Sequence, residues 1–445
     1  MAFGPVLPPD SSLVHLDLAG AIIYAALFVA VTIVTSRRPV LGVSVLILLD
    51  PFAFYRWIGF TTLTLPKATL VAIIAGLLLR RVSLPHLNRT PARMLFLAFL
   101  LMAAAAALSV WHAGVATPAI RETFKWFEYA AIFAVCAIAF HAEPDEAAIR
   151  WPTLIATGLV ISLALPELFI GATSGIIIAH TEVPRIAGPL EGPNQLAAYL
   201  GLTLPLLFAY TLRCGRRWPE IFAIAGGLAA VVLTFSRAGI VALLLALCVV
   251  AMLCFTAKLA RVLSALAALG ILGGSAAAWW VLAAGLDFAP VQRHGIDLNG
   301  GLGTRRELWQ AALQLWRAHP LWGIGAGNFE LRVGSLLHSP IKTHANSLYL
   351  QSLVEGGLPL LAATIFLVYQ SIASFVRSAR TPLAIAALGA SAGLAFHFVF
   401  DFLIFYPKVG MQWAILLGIA AGSLMPQGQG PDGTDRPLSN SLKNE

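Results

Sequence analysis

Arg185, Arg237, Arg305 and His344 are the residues of this chain best placed to do chemistry. Arg237 lies in LTFSRAGIV, a turn with few polar residues between two apolar runs. An arginine inside a membrane costs about 2.5–3.5 kcal/mol on insertion scales, so one at its edge calls for a reason. It either snorkels to lipid headgroups or is held there to grip a phosphate, which its planar fork suits. Arg185 lies in PRIAGPLEGPNQLAAYL, where Gly188, Pro189, Gly192 and Pro193 dictate an ordered turn. Asn194 is expected to cap the helix that follows. Arg185 either forms an ion pair with Glu182 or Glu191 or faces an anion.

The longest polar stretch, residues 285–345, carries the other candidates. In GLGTRRELWQAALQLWRAHP, Thr304 and Glu307 have the spacing of a capping box. The spacing predicts a helix from Arg305 to Ala318 that stops at His319–Pro320. Leu308, Ala312 and Leu315 share one face, so this helix should lie on the bilayer or against the spans. Arg305 would sit in the first turn, where free N–H groups already attract anions. Arg306 is a further candidate, although both arginines could simply solvate the helix. Gly323, Gly325 and Gly327 lack the strand that a dinucleotide fingerprint needs, and read as a flexible linker or a tight turn. Four histidines lie in this stretch: His294, His319, His338 and His344. Near neutral pH such a side chain can take a proton from a hydroxyl. His344, closely followed by Asn346 and a span, is the first choice, and His338 the second. There is no HExxH or DxD motif, no metal-ligand spacing, no carboxylate pair and no serine triad. Neither a metal nor another cofactor is expected.

Composition says what must position these groups. The chain is 59% hydrophobic and only 11% charged, against roughly 25% charged in soluble domains. Apolar runs long enough to cross a bilayer recur along it. The expected class is therefore an all-α polytopic membrane protein of about 12–13 transmembrane helices. The N-terminal region lacks the basic start and early apolar core of a signal peptide. Cys136, Cys214, Cys248 and Cys254 lie in or beside apolar runs, so no disulfide framework is expected. The net charge of +8 reflects basic clusters between spans rather than a nucleic-acid partner.

Candidate spans are 18–35, 40–58, 62–79, 94–111, 120–140, 150–170, 195–212, 218–235, 238–256, 262–284, 346–375, 383–402 and 409–425. Basic clusters at Arg37–Arg38, Arg80–Arg81, Arg213–Arg217, Lys258–Arg261 and Arg377–Arg380 fall at every second connection, which places them in the cytoplasm. Residues 171–194, the 236–237 turn and the long loop then lie outside. Four regions follow: an N-terminal transmembrane region (1–284), a large outer loop (285–345), C-terminal transmembrane helices (346–425) and a disordered cytoplasmic tail (426–445). The loop has no counterpart in the first half, which weakens a carrier built from repeats.

Four ordered stretches now carry a family likeness: Arg185–Asn194, Thr234–Gly239, Gly303–Trp309 with His319–Gly325, and His344–Leu350 with Glu355–Gly357. Together with the hydropathy profile over 60–425, they resemble the O-antigen ligase/polymerase family of bacterial envelope glycosyltransferases. The resemblance implies a GT-C-like inner-membrane enzyme whose large loop is periplasmic and contains amphipathic helices. It implies a glycan donor on undecaprenyl diphosphate and, for a ligase, a sugar hydroxyl of lipid A–core as acceptor. It implies metal-independent, inverting transfer, with Arg185, Arg237 and Arg305 on the diphosphate and His344 in catalysis. Many members read H-x-H-N here, whereas this chain reads His344-Ala-Asn346, so His344 alone must serve. A ligase is the first reading. A polymerase, a protein O-oligosaccharyltransferase and a transporter of a lipid-linked anion remain as alternatives.

Overall fold

The computed structural model describes residues 18–52, 55–58, 61–82, 91–170, 174–178, 181–215, 217–255, 302–337 and 343–426. The expected span 262–284, the start of the long loop, His294, His338 and the tail lie outside them. The protein is an all-α polytopic membrane protein. Eight described helices are long and apolar enough to cross a bilayer, and three shorter apolar ones accompany them. In chain order the helices are α1 (Leu18–Arg37), α2 (Pro39–Leu49), α3 (Leu65–Leu79), α4 (Pro91–Ser109), α5 (Ala116–Ala142), α6 (Ala147–Ala164), α7 (Glu167–Ile170), α8 (Pro193–Arg213), α9 (Trp218–Leu233) and α10 (Arg237–Cys254). After the gap come α11 (Leu302–Ala318), α12 (Phe329–Leu336), α13 (Leu348–Val376), α14 (Pro382–Phe400) and α15 (Pro407–Gly422).

Local chemistry sets many of the starts. Pro39, Pro193, Pro382 and Pro407 open their helices, where a missing N–H costs nothing. Ser236, Ser347 and Thr381 cap α10, α13 and α14 through their hydroxyls. Small residues let two helix pairs approach closely: Gly389 and Gly393 lie against the α10 backbone at Ala246 and Ala242, and Gly418 and Gly422 against α5 at Phe133 and Ala137.

Two expectations need correcting. The 40–58 run is not one span: α2 ends at Leu49, a 3-10 turn follows (Asp50–Phe52), and β1 (Tyr55–Ile58) pairs antiparallel with β2 (Thr61–Thr64). Residues 174–185 form a second hairpin, β3 (Ser174–Ile178) with β4 (Thr181–Arg185), which ends at Arg185. The helix expected to begin at Arg305 also begins earlier: Thr304 falls inside α11, whose first described residue is Leu302.

Among the described residues, the basic clusters around Arg37–Arg38, Arg80 and Arg213 gather at one end of the bundle. Arg38 pairs with Glu143 and Asp145 between α5 and α6, Arg80 donates to the Arg37 carbonyl, and Arg213 donates to the Leu253 carbonyl. The α8 and α10 N-termini and the α14–α15 connection lie at the other end. There the amphipathic α11 buries Leu308, Ala311 and Ala312 and packs on α13.

Candidate functional site

At that second end, Arg185 is buried, and its position joins three segments. Its Nε donates to the Thr234 carbonyl at 2.8 Å, three residues before Arg237, and its Nη2 donates to Asn194 Oδ1 at 3.3 Å. Asn194 Nδ2 in turn donates to the Asp401 carboxylate. The expected roles therefore change. Asn194 does not cap α8, whose N-cap is Gly192 without a side-chain bond. It is spent instead on a link between Arg185 and Asp401. Glu191, one expected partner of Arg185, forms an ion pair with Lys408 at 3.1 Å.

Arg237 is exposed at the first position of α10, just after the Ser236 cap. Arg305 reaches toward it from α11. The charges of Arg237 and Asp401 both act on Arg305. Arg305 Nε is shut off from solvent and has no hydrogen-bond partner among the described residues. Burial pushes this guanidinium below its ordinary pKa, Asp401 opposes that, and the like charge of Arg237 adds to it. A guanidinium nonetheless stays protonated in a protein. Arg305 thus lies in the field of a second guanidinium, Arg237, as well as of the Asp401 carboxylate, an arrangement that suits an anion.

His344 completes the cluster. Its Nδ1 accepts a bond from the Asn346 backbone N–H at 3.3 Å, a geometry helped by the positive φ of Asn346 (48°). Its ring packs against Phe402 and Phe405 with centroids 5.7 and 5.3 Å away. Burial lowers its pKa below 6.5, Asp401 pulls it up, and Arg305 pushes it down. The ring is therefore neutral at pH 7. The weak bond at Nδ1 favours the tautomer with the proton on Nε2. Serving as a base through Nε2 means giving up that one weak bond.

The EGG motif explains how His344 and α11 are held. Glu355 accepts from the Phe329 N–H at the start of α12 (3.1 Å) and from Gln351 Nε2 (2.8 Å). Gln351 Oε1 accepts from the Ala345 N–H at 2.7 Å, next to His344. At Gly357 (φ 62°) the helix α13 breaks, and the bend receives the segment after α11. Ile324 and Gly325 donate to the carbonyls of Val354 and Glu355, and Leu358 donates to that of Leu321. A Cβ at Gly357 would fall 2.1 Å from the Leu321 oxygen. The glycines at 323, 325 and 327 all have positive φ, so this segment is a tight turn and not a flexible linker.

The structure thus brings together Arg185, Arg237, Arg305 and His344, with Asn346 acting through its backbone. Arg306 is exposed on α11. His338 lies outside the described residues. Two members were missed from sequence. Asp401 is buried and acts on both Arg305 and His344. His397, one turn before it on α14, is buried with Nε2 unpartnered among the described residues, and lies against the first turn of α10 at Gly239. A His-x-x-x-Asp spacing at the end of an apolar run was the available signal.

Residues 221–365 match the family model described as O-antigen ligase. The matched stretch is about a third of the chain and contains Arg237, Arg305 and His344 but not Arg185 or Asp401. It bears out the family resemblance over three of the four motif sets. A comparison with curated proteins gave no match. Ligases and polymerases of this kind are membrane enzymes of the glycosyltransferase type, acting on lipid-linked glycans.

Proposed function

We propose that this chain, with its O-antigen ligase stretch, transfers a glycan from undecaprenyl diphosphate to a sugar hydroxyl of lipid A–core, on the periplasmic face of the inner membrane. One observation carries the reading: Arg305, its Nε buried and without a hydrogen-bond partner among the described residues, lies in the fields of Arg237 and Asp401. Such a cluster suits a diphosphate. As the sugar–phosphate bond breaks, negative charge grows on the leaving oxygen, and preset guanidiniums in a water-poor site stabilise it. Arg237 at a helix N-terminus adds the N–H groups of that turn. Arg185 fixes the Thr234 carbonyl and Asn194, and so holds the floor of the site.

His344 takes the proton of the attacking hydroxyl. Deprotonation during attack raises the nucleophilicity of that oxygen. The nearby Asp401 charge stabilises the imidazolium that forms. Direct displacement inverts the anomeric centre. None of these steps needs a metal. Among the described residues, no three His, Cys, Asp or Glu side chains come together in a metal-binding group. The loop faces the periplasm on this reading because the basic clusters sit at the opposite end.

The test is reconstitution of the full chain in vesicles with lipid-linked glycan, with and without purified lipid A–core. Glycan on the core supports the ligase. Longer lipid-linked glycan without core product selects the polymerase and overturns the ligase.

A further inference from the structure

His344 links two different surfaces. On one side the charges of Arg305 and Asp401 reach it. On the other it packs on the rings of Phe402 and Phe405. Those rings begin a short aromatic ladder. Phe402 and Phe405 stand 5.8 Å apart, and Phe405 meets Tyr406 edge-on at 4.9 Å. Phe405 and Tyr406 are only partly buried. Polar groups border the ladder. Lys125 Nζ lies 5.7 Å from the Phe402 ring centre and forms an ion pair with Glu122 at 2.6 Å. The carboxylates of Glu191, Glu330 and Asp401 act on the Tyr406 hydroxyl. A small cavity beside Phe402 is lined by Glu122, Trp126, Gln351 and Ser352.

The direction of the reaction decides what this surface is for. In a single displacement, the incoming oxygen and the leaving oxygen lie on opposite sides of the anomeric carbon. With the diphosphate on Arg237 and Arg305, the acceptor hydroxyl arrives from the side away from them, past His344. The aromatic ladder meets the His344 ring directly. Partly exposed ring faces offer an apolar seat to the C–H face of a sugar, and flanking carboxylates and an ammonium bond its hydroxyls. Opposite charges alternate, which suits a hydroxyl-rich ligand better than a strong anion.

We propose that Tyr406, Glu122 and Lys125, bordering the Phe402–Phe405 rings, form the subsite that binds the acceptor carbohydrate and presents its hydroxyl to His344. The proposal rests on the glycosyl-transfer reading. It assigns the loop Asp401–Tyr406 a double task, with Asp401 serving the donor side and Tyr406 the acceptor side.

The experiment compares Tyr406→Ala, Tyr406→Phe, Glu122→Gln and Lys125→Met with wild type, as full chains in vesicles. Lipid A–core is titrated as the acceptor, and binding of lipid-linked glycan is measured on the same preparations. The expected result is an acceptor KM raised roughly five- to tenfold, with kcat and donor affinity close to wild type. Tyr406→Phe keeps the ring and should fall between wild type and Tyr406→Ala. An unchanged acceptor KM in all variants overturns the subsite, as does a parallel fall in donor affinity. If Tyr406→Ala does not fold, Glu122→Gln and Tyr406→Phe decide. Wild-type transfer to lipid-linked glycan alone would overturn the ligase reading instead, and the same KM comparison with that glycan as acceptor would still decide the subsite. Wild-type protein that transfers to neither would overturn both.

Discussion

Replacing Arg305 by methionine should make the empty protein more stable and remove most of the stabilisation that diphosphate gives. Arg305 holds a guanidinium whose Nε is buried without a partner among the described residues, in the field of Arg237. A buried, unsatisfied donor costs about 1–3 kcal/mol, and the like charge adds to it. Methionine keeps the apolar stem and removes both costs. A net gain of about 1–2 kcal/mol raises the apparent unfolding temperature by about 1–4 °C for a chain of this size. Ligand acts in the opposite direction. Saturating diphosphate at about 100 times its Kd stabilises the wild type by about 2.7 kcal/mol. Losing a desolvated, charge-assisted contact of about 2–5 kcal/mol weakens binding roughly 30- to 4,000-fold, so at the same concentration the variant gains at most about 0.9 kcal/mol. The assay is thermal unfolding in detergent, with and without a polyprenyl diphosphate. An Arg305→Met protein that is less stable when empty would refute the reasoning. So would one stabilised by diphosphate as much as the wild type.

Other expectations follow from the same geometry. Because the pKa of His344 lies below 6.5, its neutral form is complete above that value and is lost as pH falls below it; kcat should show an acid limb under pH 6.5 that His344→Ala and His344→Gln abolish. His344→Ala should also slow transfer roughly 10²–10⁴-fold while donor binding survives; full activity in His344→Gln would reduce its role to positioning. Glu355→Ala leaves the Phe329 N–H and Gln351 Nε2 without their acceptor, and should cost about 2–4 kcal/mol of stability, read by thermal unfolding. Lys408→Met strips the half-buried Glu191 of its ion-pair partner and the Pro189 carbonyl of its donor; a loss of about 1–3 kcal/mol is expected in the same assay.

Much of the bundle was legible because apolar runs and their breaks are local. The runs around α4, α5, α8, α10 and α14 read correctly to within a few residues. The amphipathic α11 was visible in the spacing of Leu308, Ala312 and Leu315, while its start was misplaced by a capping pattern at Thr304 that the fold does not use. The candidate arginines were legible for the opposite reason, since charge at an outer boundary has no local justification. What could not be read was pairing over distance. Asn194 has the composition of a cap, yet its amide faces Asp401, more than 200 residues away. Asp401 follows an apolar run like any end-of-helix carboxylate, and only the fold puts it beside Arg305 and His344. The break at Gly357 had a local signal in Gly356, Gly357 and Pro359, but that the bend receives the Leu321–Gly325 backbone is set by the fold.

The most direct test of the account counts polyprenyl diphosphate released against glycan gained by lipid A–core, in vesicles containing wild-type or Arg237→Ala protein. Bond cleavage at an arginine-held diphosphate predicts one molecule released per glycan transferred, and neither event at a measurable rate in the variant. Glycolipid that changes leaflet without releasing diphosphate, or an Arg237→Ala protein as active as the wild type, would contradict it.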